Sequence, residues 1–266
     1  MSALADWIKY KLLCLPVLAS EHGEDVDNFI VYVHALMAAL FVGWLAYFVY
    51  VLFRFRGSRN PKADYAGVKS HLSSYMEGGV AFVEAVLLLG FAVPLWAKIV
   101  SNPPTDPGTV EIYVLGKQFS WFGRYAGADG RFGRQDPARY DGSNFFGLDR
   151  QNDPAALDDV IVDGTFVVPV NQSIILHIGS LDVIHSFAVR SMRICQDATP
   201  GLSIATWFKP TRVGEYKITC AQLCGNGHST MSGLLKVVSQ EEYDLWLLEK
   251  SAAAARQGAA PALGFE

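Results

Sequence analysis

Residues 219–233 read TCAQLCGNGHSTMSG, so Cys220, Cys224, His228 and Met231 lie within twelve positions of one another. Two thiols, an imidazole and a thioether form a soft donor set. Such a set selects copper or zinc over magnesium or calcium. The cysteines and the histidine recur every four residues, which would suit one helix face. Gly225-Asn226-Gly227 breaks a helix there, so the segment reads as a loop between two strands, able to fold its donors around one point. Three readings compete: ordinary packing, a structural zinc completed by two histidines, and a copper site. Zinc does not ordinarily recruit methionine, whereas copper electron-transfer sites use a weak axial thioether. A further strong ligand must come from elsewhere. His185, in Asp182-Val183-Ile184-His185-Ser186-Phe187, is the candidate on an upstream strand. His177 competes, but it alternates with apolar residues and reads as structural or surface. No C-x-x-C-H occurs, so the chain carries no ordinary covalent haem.

The elements that must position these residues divide the chain. Of its 266 residues 51% are hydrophobic and only 18% charged, below the roughly one quarter charged of soluble domains. Mean hydropathy is +0.20. These values argue against disorder and against an ordinary soluble enzyme. A net charge of −4, from 22 Lys+Arg and 26 Asp+Glu, gives no case for nucleic-acid binding. Cys14, Cys195, Cys220 and Cys224 are too few and too uneven for a disulfide scaffold.

The apolar excess is concentrated in residues 29–53 and 78–100, each meeting the roughly 20 apolar residues that cross a bilayer. Pro94 in the second is tolerated where neighbouring groups satisfy the freed carbonyl. The loop 54–77 carries Arg54, Arg56, Arg59, Lys62 and Lys69 against Asp64 and Glu77; residues 1–28 carry Lys9 and Lys11 against five acids. The positive-inside rule puts the loop in the cytoplasm and both termini outside. Lys9, Lys11 and the apolar run Leu12 to Ala19 have the shape of a signal peptide, and an interfacial helix is the reading adopted.

Residues 101–110 form a Pro-rich linker. Beyond it the period changes. Segments 110–115, 165–170, 173–178, 183–189, 213–219 and 233–238 are short and rich in β-branched residues, which predicts a β-sandwich or barrel over about 111–240. The Gly/Asp-rich stretch 123–160 is too long for an ordinary connection, so it is either functional or mobile. Residues 240–250 suggest a short amphipathic helix, followed by a low-complexity, flexible tail to 266.

The pattern C-x3-C-x3-H-x2-M downstream of D-V-I-H-S-F, behind a two-helix hairpin, resembles cytochrome c oxidase subunit II. The stretches Ser191-Met192-Arg193 and Gln196-Asp197-Ala198-Thr199-Pro200-Gly201 match as well. The resemblance spans about residues 29–240. It implies a membrane α-hairpin carrying an extracytoplasmic all-β cupredoxin barrel with the binuclear copper centre CuA. It further implies that Cys220 and Cys224 bridge two coppers, that His185 and His228 each bind one, and that Met231 and the Gln222 carbonyl are weak ligands. Electrons would come from cytochrome c and pass to haem in subunit I, where oxygen is reduced to water. Subunit III would be a further partner, and the bacterial inner membrane the location.

Four departures matter. Gln222 replaces the family's glutamate, which removes a charged ligand from a magnesium or manganese site at the subunit I interface. The family's Q-W-Y-W is here Gln118-Phe119-Ser120-Trp121, so Phe119 stands where the first tryptophan receives electrons. Strand alternation would place Phe119 and Trp121 on one face, and Trp121 is the substitute. Leu202 replaces an arginine expected near the haem subunit, and Cys195 replaces a lysine and reads as a buried free thiol. These features resemble oxidases that sit beside alternative complex III.

Glu77 and Glu84 lie seven apart, on nearly one helix face and about 10 Å apart in height. Intramembrane carboxylates often mark proton paths, and the resemblance implies a glutamate near here at the mouth of a proton channel in subunit I. Aspartates between Asp141 and Asp163 read either as solvated surface or as a face steering a basic cytochrome c. The competing functions are a membrane-anchored CuA protein of another reductase, such as a nitrous-oxide-type enzyme, and a zinc- or copper-binding module that senses or delivers metal.

Overall fold

The computed structural model describes residues 3–62, 65–67, 69–101 and 103–258. They form two compact units, Met1–Leu15 with Glu24–Ser101, and Pro16–Gly23 with Asn102–Glu266.

The first unit is helical. A short helix α1 (Ala3–Trp7) runs into a π turn, Ile8–Leu12. Helix α2 spans Gly23–Arg54; α3 (Leu72–Leu87), a π turn (Leu88–Ala92) and α4 (Val93–Val100) follow as one apolar rod. At 32 residues, α2 is about 48 Å long, more than the roughly 30 Å hydrocarbon core. Its Phe41, Trp44 and Phe48 point outward, as do Phe82 and Leu89 of the second rod. Outward-facing apolar side chains on helices of this length suit lipid. Pro94 follows the π turn within a continuous helical run, where the rod lacks one backbone N–H donor. The second rod begins at Leu72, so Glu77 lies inside α3 and accepts a hydrogen bond from the Ser73 hydroxyl at 2.6 Å. Asp64, counted in the loop charge, lies outside the described residues.

The second unit is a sandwich of two five-stranded sheets. The strands are β1 (Val110–Lys117), β2 (Ser120–Tyr125), β3 (Val160–Asp163), β4 (Thr165–Pro169), β5 (Ile174–Ser180), β6 (His185–Val189), β7 (Ile194–Ala198), β8 (Ile204–Phe208), β9 (Gly214–Cys220) and β10 (Ser232–Val238). The sheet orders are β3-β2-β1-β5-β8 and β4-β10-β9-β6-β7. β1 pairs with β5, and β10 with β4, in parallel; the other pairs are antiparallel. Alternate residues turn inward: Ile112 and Val114 of β1, Ile174, Leu176 and Ile178 of β5, and Leu235 and Val237 of β10 are all buried. All six expected strands form, and β2, β3, β7 and β8 join them.

The stretch between β2 and β3 is ordered. It lays Phe146, Leu148 and Ala156 against Tyr113, Leu115 and Phe122 on the outer face of the first sheet, making a second small core. An ion pair buried on both sides anchors it. Arg124 donates to Asp159 through Nε (3.1 Å) and Nη2 (2.7 Å), and also donates to Gly133 O. The other aspartates hold the loop's own groups. Asp141 accepts from Ser143 and Asn144, Asp149 from Asn152, and Asp153 from the Arg134 and Ala155 backbone. Hydrogen bonds from Ser143, then Asn144, hold the Asp141 carboxyl below its ordinary range.

Two terminal segments depart from expectation. The N-terminal helix stops at Leu12, and Pro16–Gly23 straps onto the β-unit instead of extending an interfacial helix. Ala19 N donates to Ser191 O at 2.8 Å, Thr211 N to Ala19 O at 2.9 Å, and Ser20 bridges Pro210. At the other end, α5 spans Gln240–Gly258, so residues 251–258 of the expected flexible tail continue the helix. Arg150 donates to Ala254 O of that helix at 3.3 Å. Residues 259–266 lie outside the described residues.

Removing one partner of a buried pair leaves an uncompensated charge, at a cost of about 3–5 kcal/mol. Asp159→Ala is therefore expected to lower the melting temperature of the full chain in detergent by roughly 6 °C or more. Exposed Asp141→Asn should leave it nearly unchanged. Equal shifts in scanning calorimetry would contradict the anchoring role of the pair.

Candidate metal centre

The centre is assembled by one strand pairing. β6 and β9 run antiparallel with Phe187 opposite Cys220 and Ala188 opposite Thr219. His185 opens β6 and Cys220 closes β9, so both emerge at the same end of two adjacent strands in the second sheet. The chain then loops through residues 221–231 before β10. Cys220 N donates to Met231 O at 3.1 Å and Ala221 N to Ser186 O at 2.9 Å, pinning both ends of the loop. The Gln118 side-chain amide donates to Cys224 O at 2.6 Å and fixes its middle. A single 3-10 turn, His228–Thr230, aims His228 back at the cysteines.

The result brings the candidate donors together. Cys220 Sγ and Cys224 Sγ are 3.8 Å apart, both thiols free. His185 Nδ1 is 4.0 Å from Cys220 Sγ, and His228 Nδ1 is 3.6 Å from Cys224 Sγ. Met231 Sδ lies 3.7 Å from Cys224 Sγ, and the Gln222 carbonyl 3.1 Å from Cys220 Sγ. The donor atoms of His185, Cys220 and Cys224 lie within 4.8 Å of one another. Burial, and then the neighbouring Cys220 thiol, push the Cys224 thiol up to about 11. Two adjacent buried thiolates are unfavourable alone; a soft cation removes that penalty.

His185 is held by three neighbours. Its Nε2 shares a hydrogen bond with Asp182 Oδ1 at 2.8 Å, which turns Nδ1 toward Cys220. Asp182 also accepts from the Gln118 and Val183 backbone N–H groups at 2.8 and 2.7 Å. Desolvation raises the Asp182 carboxyl, but the bonds from Gln118, His185 and Val183 outweigh it and leave it below the ordinary value. The edge of Trp121 meets the imidazole at a ring separation of 5.8 Å. Gly116 backs both rings: a Cβ there would lie 2.9 Å from His185 Cδ2 and 3.0 Å from Trp121 Cζ3.

Other candidate residues fall elsewhere. Phe119 and Trp121 do not share a strand face, because Gln118-Phe119 form the two-residue turn between β1 and β2. Trp121 is fully buried and packs on Phe187, whereas Phe119 is 38% exposed. The Phe119 ring lies over Gly225 and Gly227, where added Cβ atoms would come within 3.2 and 2.5 Å of it. His177 sits on the outer face of β5, stacked on Tyr113 and paired with Glu111 at 3.0 Å. Cys195 is exposed, contrary to the expectation of a buried thiol, because it points outward from β7. Leu202 is exposed as well. Glu77 and Glu84 lie along α3, both exposed. Sequence reasoning missed Asp182, Gln118 and Gly116. Only Asp182 carried a signal, an acceptor three residues before a histidine.

A family model for cytochrome c oxidase subunit II, periplasmic domain, matches residues 110–238. An alternative cytochrome c oxidase subunit 2 of Bradyrhizobium diazoefficiens is 30% identical over 221 residues, 82% of this chain and 78% of that protein. A probable cytochrome c oxidase subunit 2 of Rickettsia conorii is 32% identical over 237 residues, 89% and 69% respectively. The crystal structure of the periplasmic domain of subunit II of cytochrome oxidase of Bradyrhizobium japonicum aligns with 57% of this chain and all of that one, at 27% identity and a TM-score of 0.42. With two relatives at 30% identity or more, each aligned over more than four fifths of this chain and more than two thirds of its own length, the chain belongs to the cytochrome c oxidase subunit II family.

Proposed function

We propose that this chain is the electron-input subunit of a respiratory cytochrome c oxidase. It takes electrons from cytochrome c at a binuclear CuA centre and passes them to haem in subunit I. α2 and the α3–α4 rod anchor it in a bacterial inner membrane, with both termini and the β-unit on the periplasmic side. The observation that carries the reading is the convergence of four further donors on two unbonded sulfurs 3.8 Å apart. That spacing is too long for a disulfide, about 2.05 Å, yet both sulfurs can lie about 2.3 Å from a common ion. Cys220 and Cys224 would bridge the ions, His185 and His228 would bind one each, and Met231 and the Gln222 carbonyl would be the weak ligands. The thioether and the unbroken sulfur pair favour copper over a structural zinc.

A binuclear copper centre, when bound, supplies a one-electron couple whose charge is shared over two metals. The chain's own residues keep the ligands from moving as that charge changes. The β6–β9 pairing fixes the backbone, Asp182 fixes the His185 tautomer, and Gln118 fixes the loop at Cys224. Phe119, half exposed over the loop, is the aromatic that a docked cytochrome c would meet; buried Trp121 supports His185 from behind. The chain makes and breaks no substrate bonds, and oxygen is reduced in subunit I. The neutral Gln222 side chain argues against a magnesium or manganese ion beside it. Glu77 and Glu84, outward-facing on α3, are the candidates for delivering protons to a channel in subunit I, and subunit III completes the complex.

Copper added to the full chain is expected to give an electron paramagnetic resonance spectrum of one unpaired electron shared by two copper nuclei. Cys220→Ser or His228→Ala should abolish both that spectrum and cytochrome c oxidation while leaving haem in subunit I. A mononuclear spectrum from the unaltered chain would overturn the assignment. Asp182→Ala should weaken copper binding about 10–100-fold by freeing the His185 ring; unchanged affinity in a chelator competition would remove Asp182 from the site. Glu84→Gln and Glu77→Gln test proton delivery. Slower turnover is expected in at least one, with copper loading intact, and full turnover in both would end that idea.

A further inference from the structure

The two membrane rods leave a groove between them that the metal centre does not use. It encloses about 340 Å³ between the start of α2 and the end of α4. Its rim is charged: Lys98 Nζ meets Asp25 Oδ2 at 2.8 Å, with the Lys98 side chain mostly open and that of Asp25 about half open. Below the rim the walls are Phe29 and Leu95, and the floor is the edge-to-face pair of Tyr32 and Phe91, rings 5.7 Å apart. The π turn Leu88–Ala92 and the bare Gly90 open the space. A Cβ on Gly90 would find only Val86 Cγ1, at 3.9 Å.

The groove is graded as a lipid is graded. From Lys98 down to Gly90 is eight residues, about 12 Å of helix, close to the depth of one leaflet's hydrocarbon. The charges stand at the end of the rods, where the headgroup region begins, and the aromatic floor stands in the apolar layer. The rim offers a cation and an anion side by side, complementary to a headgroup that itself carries a phosphate and an ammonium. A purely anionic headgroup would meet Asp25 as a like charge. A partner helix would have to bring its own opposed charge pair to this end and an apolar ridge to the floor.

We propose that this groove is a binding site for one zwitterionic phospholipid. Its phosphate faces Lys98, its ammonium faces Asp25, and one acyl chain lies between Leu95 and the Tyr32–Phe91 pair. The inference rests on the membrane-spanning reading of the two rods, which retention of the chain in membranes through an alkaline wash checks separately.

The test uses the oxidase complex carrying this chain, extracted in mild detergent. Native mass spectrometry of the released subunit reads the bound lipid, with phosphatidylethanolamine and phosphatidylglycerol added as competing probes. One phosphatidylethanolamine per chain is expected, retained in preference to phosphatidylglycerol. Gly90→Leu, which fills open space without crowding the helix, should reduce retention about tenfold. Lys98→Ala should reduce it as well and erase the preference between headgroups. Equal retention in the unaltered chain and both variants would overturn the proposal, as would a preference for phosphatidylglycerol. A benzophenone side chain placed at Leu95 gives the last arm. Crosslinking to lipid supports the site, and crosslinking to another subunit shows that protein covers the groove and refutes it.

Discussion

Two cysteine sulfurs held 3.8 Å apart, buried and unbonded, impose the demand that the β-unit answers. Thiols in that position resist ionising together, and Cys224 is raised accordingly. Their arrangement is sustained by hydrogen bonds to the loop backbone, not by the sulfurs themselves. Cys220 is tied to Met231 and Ala221 to Ser186, and Gln118 reaches from another sheet to hold Cys224 O. The Ala221–Ser186 tie continues the pairing of β6 against β9, and that register brings His185 to the sulfurs. A slip of one residue in that pairing would turn Phe187 out of the core and carry His185 away from the sulfurs.

Charge is used inside the β-unit chiefly to fix loops. The aspartates between Asp141 and Asp163 serve the fold. In three dimensions Asp141, Asp149 and Asp153 accept bonds from their own loop, and Asp159 is enclosed with Arg124. Asp182 follows the same logic at the metal centre, where three N–H donors hold a carboxylate whose task is to aim an imidazole. Carboxylates fully engaged by local donors are stiff, and at Asp182 that stiffness holds the His185 ring in place.

Much of this was legible in the sequence because it is periodic or tightly clustered. Two apolar runs long enough for a bilayer, six β-branched segments, and four soft donors within twelve positions are local features. The four strands that escaped notice have weaker local signals. β3, β7 and β8 are sheet edges, and β7 alternates exposed with buried residues around Cys195 and Asp197. Phe119 was misplaced for a related reason: alternation holds only within a strand, and Gln118-Phe119 is a turn.

The sequence by itself determined the composition of the site and the presence of a membrane anchor, since residue type sets donor softness and run length sets what can cross a bilayer. The residue pattern already favoured His185 over His177; tertiary structure alone shows where each ring points. His177 and His185 both belong to strands, yet one faces Glu111 on an outer surface and the other faces Cys220. It also decided that Asp182, Gln118 and Gly116 serve the centre, that the Asp/Gly-rich stretch is anchored and not loose, and that Pro16–Gly23 belongs to the β-unit. Each of these rests on contacts between residues distant in the chain, and such contacts exist only once strand register has brought them together.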